Sequence, residues 1–325
     1  MTTPTGLRHP RAHHAAPRPE PGVGTRARWL VEYGLVLALY GFLAVLPRRV
    51  RLGLGRGLGG LVFRCDRRHR DIALGNLEMA YPSAADLWRR EIARKSFENL
   101  GRLLVEVLML RRDAARALAE DDVEGWEHVA AYARSSTGYF LMSGHFGNWE
   151  RAAFTQGARG LPLWMITRPL DNPHLERLLA GIRAATGNRI IHKRSGIKET
   201  VKGLRGGHPV AFVIDQDFPE AGPHFVPFFG KLASATPALG TIATRLGAPV
   251  LPIFAYPKPD GGYRVVYGPP ILPDGMGADD AGAVAMTAAA TARIEEAVRR
   301  CPEAWFWMHH RWRTRPLDEP LDGDA

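Results

Sequence analysis

Cysteine is nearly absent: the 325 residues hold only Cys65 and Cys301, with no Cys/His spacing of the zinc type around them, so neither a disulfide framework nor a structural zinc is expected. Acidic residues are outnumbered, 33 against 43 basic ones, which leaves a formal charge of +10 and a pI near 10.0. That balance points to an acidic partner: anionic lipid, a phosphorylated substrate or nucleic acid. No recognition motif for DNA or RNA stands out, however, and no internal repeat. A Gly-x-Ser-x-Gly elbow, which would mark a covalent serine nucleophile, is also missing. Long apolar runs are limited to one, yet an apolar content of 46% is ample for a core of one large domain or two small ones.

The informative stretch is Ser143-Gly144-His145-Phe146-Gly147-Asn148-Trp149-Glu150. Residues 139–142 form a short apolar run after the turn signal at 135–138, which predicts a core strand. Gly144 and Gly147 let the backbone turn, and Asn148 is placed to cap a helix opening at Trp149. On a continuous helix His145 and Glu150, five positions apart, would point about 140° away from each other. With His145 in the turn and Glu150 in the first helical turn, they are expected to meet. Glu150 would then fix the imidazole tautomer and stabilise the imidazolium once His145 has taken a proton from a hydroxyl. Such a dyad suits transfer of an acyl group to an alcohol. The plainer reading is a strand-end histidine and a glutamate that complements a helix N-terminus. The Gly-Asn-Trp filling and the strand-turn-helix context favour the dyad over a chance His-x4-Glu spacing.

Further on, strands are predicted at 162–167, 187–191, 209–214, 250–255 and 263–267. Helices are predicted at 173–185, 196–206, from Thr236-Pro237 to Gly247, and at 282–300. This alternation predicts an α/β fold with a mixed, largely parallel sheet flanked by helices. Arg168, at a strand end beside a polar turn, is suited to hold a phosphate or an acyl carbonyl, against the plainer reading of a solvated arginine. Asp215 and Asp217 end the apolar run 209–214, where α/β folds put their chemistry, although one of them could equally cap a turn. Alternating carboxylates on an extended chain point to opposite sides and do not chelate, so neither metal nor cofactor is expected.

Residues 1–25 read as a disordered tail, with His9, His13 and His14 solvated rather than metal-bound. Residues 26–47 carry the one long apolar run, interrupted by Glu32. A spanning helix needs about 20 residues, so this segment either spans or lies in the interface. Pro47-Arg48-Arg49 follow it where a small-residue cleavage site would stand, which argues against a removable signal. Arg26 and Arg28 precede the run. Arg48, Arg49, Arg51, Arg56, Arg64, Arg67, Arg68 and Arg70 follow it, a bias that predicts a cytoplasmic catalytic body and a surface for anionic headgroups. Residues 48–125 form a helical region, 126–315 the α/β core and 316–325 a flexible tail. The apolar stretch 222–231 would face lipid, line an acyl groove or pack into the core. The Trp-rich stretch 305–312 suits either headgroups or a locked C-terminus.

His-Phe-Gly-Asn-Trp-Glu at His145 to Glu150 resembles the hallmark of the bacterial lipid A late acyltransferases, the lauroyl and myristoyl acyltransferases of lipopolysaccharide synthesis, within the lysophospholipid acyltransferase-like superfamily. Arg168-Pro169-x-x-Asn172, Asp215-Gln216-Asp217, Ser96 to Gly101 with Glu106, and the closing Trp305-x-Trp307-x-His309-x-Arg311-Trp312 extend the likeness to most of the chain. The resemblance implies a glycerolipid acyltransferase-like fold and a cell inner membrane enzyme with His145 and Glu150 catalytic. It implies Arg168 in the active site, with Asp215 as its partner or as an orienter of substrate and Asp217 beside it; independently of the resemblance, the backbone amides at the helix start near Asn148 are expected to help stabilise the oxyanion. It implies an acyl carrier protein (or CoA) thioester as donor and a lipid A precursor or related glycolipid as acceptor. Related enzymes acylate mannosylated phosphatidylinositol from acyl-CoA, and this stays open, as do an esterase and a non-catalytic basic protein binding membrane or nucleic acid.

Overall fold

The computed structural model describes residues 22–133, 137–192, 196–220, 222–259 and 261–316; residues 1–21 of the tail expected at 1–25, residues 135–136 of the turn signal and residues 317–325 lie outside them, while residues 23–25 are helical where a tail was expected. The N-terminal part is helical: α1 (Val23–Val45), α2 (Arg48–Cys65), α3 (Arg67–Ala80), α4 (Asp86–Met109) and α5 (Ala114–Glu120). There follow β1 (Asp122–Glu124), α6 (Trp126–Ala133), β2 (Phe140–Ser143), α7 (Trp149–Ala158), β3 (Trp164–Thr167), α8 (Pro173–Arg183), β4 (Arg189–His192), α9 (Gly196–Arg205) and β5 (Val210–Val213). The chain then forms β6 (His224–Phe228), β7 (Lys231–Ala235), α10 (Ala238–Leu246), β8 (Val250–Pro257), β9 (Tyr263–Tyr267) and α11 (Asp280–Arg300).

The main sheet has the order β1-β9-β8-β2-β5-β3-β4, parallel except where β8 meets β9, as the alternation predicted. Its edge strand β1 lies in a stretch expected to be helical. β2 is central and buried on both faces. Phe140 and Met142 enter the core made with α3, α4, α10 and α11, while Tyr139 and Leu141 enter the one made with α6 and α7. A strand covered on both sides needs an unbroken apolar run, and each such side chain contributes about 1.5–3 kcal/mol on burial.

α2 crosses α4 so closely that a Cβ on Gly59 would lie 2.1 Å from the Phe97 carbonyl oxygen. Its inner face, at positions 48, 51, 52, 55 and 59, therefore carries two arginines inward. Arg51 is buried with Nη2 2.7 Å from Asp113 Oδ2, and Arg48 donates to the Gly261 carbonyl at 2.7 Å. These two leave the expected headgroup surface, whereas Arg49, Arg56, Arg64, Arg67 and Arg68 remain exposed. The outer face of α2 shows Val50, Leu54, Leu58, Leu61 and Val62 to solvent. α1 is long and apolar enough to cross a membrane and is almost wholly outward, with Leu43 its buried residue. Its first turns dock on α8: Asn172 Nδ2 donates to the Trp29 carbonyl and to Glu32, both at 2.9 Å, and Tyr33 stacks on His174.

The apolar stretch at 222–231 resolves as core packing. β6 and β7 form an antiparallel hairpin turning at Phe229-Gly230, and Val226, Phe228 and Phe229 are buried. Trp305, Trp307 and Trp312 are likewise buried, so the C-terminal aromatics lock the core rather than face headgroups.

Candidate active site

β2 and β5 are parallel neighbours with Ser143 opposite Val213. Two residues beyond that pair, both chains leave the carboxyl edge of the sheet, which brings His145 beside Asp215. Asp215 Oδ1 lies 2.7 Å from His145 Nδ1, and Oδ2 accepts the His145 backbone N–H at 2.6 Å and the Trp305 indole N–H at 2.7 Å. Burial works against the Asp215 charge, but His145 and these donors outweigh it and bring the carboxyl to about 2. An ionised Asp215 can only accept, so Nδ1 carries the imidazole proton and Nε2 keeps its lone pair. Nε2 faces Gln216, whose Nε2 is 3.5 Å away, and the His145 side chain retains 25% exposure. Burial also disfavours the imidazolium, yet Asp215, with a smaller contribution from Glu150, raises the His145 pKa above its ordinary 6.5.

The turn that presents His145 depends on Gly147, at φ 56°, where a Cβ would fall 1.8 Å from the Ala255 carbonyl oxygen. Backbone bonds to the C-terminal segment hold it from the other side, Gly147 N–H to Ala304 at 2.8 Å and Phe306 N–H to the His145 carbonyl at 3.0 Å. Asn148 caps α7 as expected, its Oδ1 accepting the Arg151 N–H at 2.9 Å.

The expected His145–Glu150 contact is not made. Glu150 faces α8, where Arg183 grips it through Nη2 at 2.5 Å and Nε at 3.0 Å, so its carboxylate reaches His145 only through space. The hydrogen-bonded partner of the imidazole is Asp215. Arg168 does not pair with Asp215 either: both Asp215 oxygens are already taken, and Arg168 stands exposed beyond β3 with no ion pair among the described residues. Asp217 is engaged in structure, accepting Ser234 Oγ at 2.6 Å and both the Thr314 N–H at 3.1 Å and its hydroxyl at 3.0 Å, which ties down the C-terminal segment. The available signal for the Asp215 role was strand adjacency. Two parallel apolar runs that both end in polar residues bring those residues together only if the runs are neighbours.

Trp305 and Arg183 were missed as site residues because nothing in their local spacing reveals what they reach across 90 and 33 positions. Arg311 was likewise unforeseen in its place: it is wholly buried, donates to the Ser234 carbonyl, and lies near Asp215 and Asp217, while burial lowers its pKa to about 10.

Residues 21–314 match the family model described as bacterial lipid A biosynthesis acyltransferase. The lipid A biosynthesis lauroyltransferase of Escherichia coli (strain K12) is 31% identical over 295 residues, covering 90% of this chain and 94% of that protein. The palmitoleoyltransferase of the same organism is 30% identical over 295 residues, with 90% and 93% covered. Its myristoyltransferase is 23% identical over 280 residues, with 85% of each covered.

Proposed function

The chain belongs to the bacterial lipid A biosynthesis acyltransferase family, and from that premise we propose that it moves a fatty acyl chain from an acyl carrier protein thioester to a hydroxyl of a lipid A precursor, with His145 as general base. The observation that carries the reading is the Asp215–His145 hydrogen bond, which leaves Nε2 as the free base at the carboxyl edge of the sheet. Nε2 takes the proton of the acceptor hydroxyl, and the alkoxide oxygen bonds to the thioester carbonyl carbon. The tetrahedral intermediate then collapses with cleavage of the C–S bond, and the leaving thiolate recovers the proton from the imidazolium. Asp215 balances the imidazolium while it exists. We assign the oxyanion to the first amides of α7, where the positive end of the helix favours negative charge. Arg168, exposed beside this edge, is available for an anionic group of either substrate.

The protein works at the inner membrane with its catalytic body on the cytoplasmic side. The outward apolar faces of α1 and α2 and the exposed arginines of α2 and α3 support this placement. The limits proposed for the parts are 26–47 for the anchor, 48–125 for the helical region and 126–315 for the core, with α1 opening at Val23 and β1 joining the core sheet from within the helical region.

The test is mass spectrometry of a lipid A precursor incubated with the full-length protein in membranes and either acyl carrier protein or CoA thioesters. Gain of one acyl chain from the carrier-protein donor is expected. Acylation of a mannosylated phosphatidylinositol alone, or donor hydrolysis alone, would contradict the assignment.

A further inference from the structure

Behind the catalytic turn lies a buried polar cluster that the chemistry above does not use. Glu106 of α4 is 6% exposed and sits between four donors from four parts of the chain. Arg102 donates to Oε1 through Nε and Nη2, both at 3.1 Å, and Arg48 Nη2 stands 3.6 Å from the same oxygen. Tyr263 of β9 donates its hydroxyl to Oε2, and Asn148 donates Nδ2 to Oε2 at 3.1 Å. Burial first, and the Glu106 charge second, hold the Tyr263 phenol far above its ordinary range, so it stays a donor.

An asparagine side chain has one accepting end and one donating end. A carboxylate without a proton accepts only, so Glu106 admits Nδ2 and forces Oδ1 toward the Arg151 N–H, where it caps α7. With the amide reversed, two N–H groups would oppose each other at the cap and two acceptors would meet at Glu106, all in a buried site. With Oδ1 held on the third amide of the helix, the amides of Trp149 and Glu150 have no acceptor among the described residues, and they open a helix whose first residue packs its ring on His145, centroids 4.9 Å apart.

We propose that Glu106 is a positioning residue for the acyl transfer: its carboxylate fixes the direction of the Asn148 amide and, through it, the first amides of α7 beside the base. The proposal rests on the reading of His145 as that base. Arg48 opens α2 immediately after the apolar helix α1, so the same carboxylate joins the foot of that helix to the catalytic turn.

The test exchanges donor and acceptor. Full-length Glu106→Gln, Asn148→Asp and the double variant are compared with wild type in membranes for kcat and KM, together with the charge-preserving Glu106→Asp. Each single exchange is expected to lower kcat about tenfold with KM within about twofold, because the free amides shift against a transition state and not against bound substrate. In the double variant the amide introduced on α4 donates to the carboxylate introduced at the cap, and kcat is expected to recover to within about threefold of wild type. Glu106→Asp keeps the charge beside Arg102 but withdraws the carboxylate about 1.5 Å from Asn148, and is expected to lose kcat without loss of fold. A double variant that falls by the product of the single losses, or a Glu106→Asp variant with full kcat, overturns the proposal. If the single exchanges do not fold, Glu106→Asp decides. Absence of acyl transfer by wild type would count against the substrate assignment alone, and the same ratios would then be read on hydrolysis of the donor thioester by the same base.

Discussion

Asp215 holds His145 twice, with Oδ1 2.7 Å from the ring Nδ1 and Oδ2 2.6 Å from the backbone nitrogen, so one buried carboxylate sets both the tautomer of the imidazole and the turn that carries it. Asp215→Asn keeps the volume but offers Nδ1 an amide able to take either tautomer. The expected result is a fall in kcat of about 10²- to 10⁴-fold with donor KM little changed, read by steady-state kinetics.

The same pair governs the pH response. His145 must be neutral to act, and its pKa lies above 6.5, so kcat is expected to rise with pH through a midpoint above that value. A raised folded-state pKa stabilises the protein fully below the unfolded value of about 6.5, and that contribution is lost as pH rises through the folded pKa. The depressed Asp215 carboxyl acts in the opposite sense. Its contribution is present above about pH 4 and is lost as pH falls toward about 2. In Asp215→Asn the kcat midpoint is expected to fall below that of wild type. A midpoint unchanged by the substitution would contradict the assignment of Asp215.

Glu150 is a different kind of partner. Glu150→Gln leaves the Arg183 guanidinium poorly compensated in a largely buried place, which is expected to cost about 3 kcal/mol of stability, measurable by denaturant unfolding. Arg183→Met should cost a similar amount, and the double variant Glu150→Gln with Arg183→Met should cost less than the sum. A Glu150→Gln protein that melts like wild type would show that the pair is not made.

Trp305→Phe retains most of the buried ring and removes the donor 2.7 Å from Asp215 Oδ2. A hydrogen bond to a charged acceptor is worth about 1.5–3 kcal/mol and lowers the basicity of that acceptor, so without the indole the Asp215 carboxylate becomes more basic and a stronger partner for the imidazolium. The expected outcome is a kcat reduced about tenfold and a higher pH midpoint, with a loss of stability no larger than that of Glu150→Gln.

The sheet was legible because each strand announces itself locally, as the run ending at Met142 and the run ending at Ile214 do, and Asn148 and Gly147 could be assigned from the demands of a strand-to-helix turn. The error lay in pairing by nearness in sequence. His145 and Glu150 are five apart and do not bond, whereas His145 and Asp215 are 70 apart and do, because strand order brings β5 beside β2. The inward turn of Arg48 and Arg51 was hidden for a similar reason. A helix rich in arginine and glycine reads as a solvated or headgroup surface until the partner helix that its glycines admit is known.

The most direct measurement compares membranes containing wild type with membranes containing His145→Ala, supplied with an acyl carrier protein thioester and a lipid A precursor and read by mass spectrometry. The precursor is expected to gain one acyl chain with wild type and none with His145→Ala, whose fold should persist because the backbone N–H still reaches Asp215. Acyl transfer surviving in His145→Ala would contradict the account.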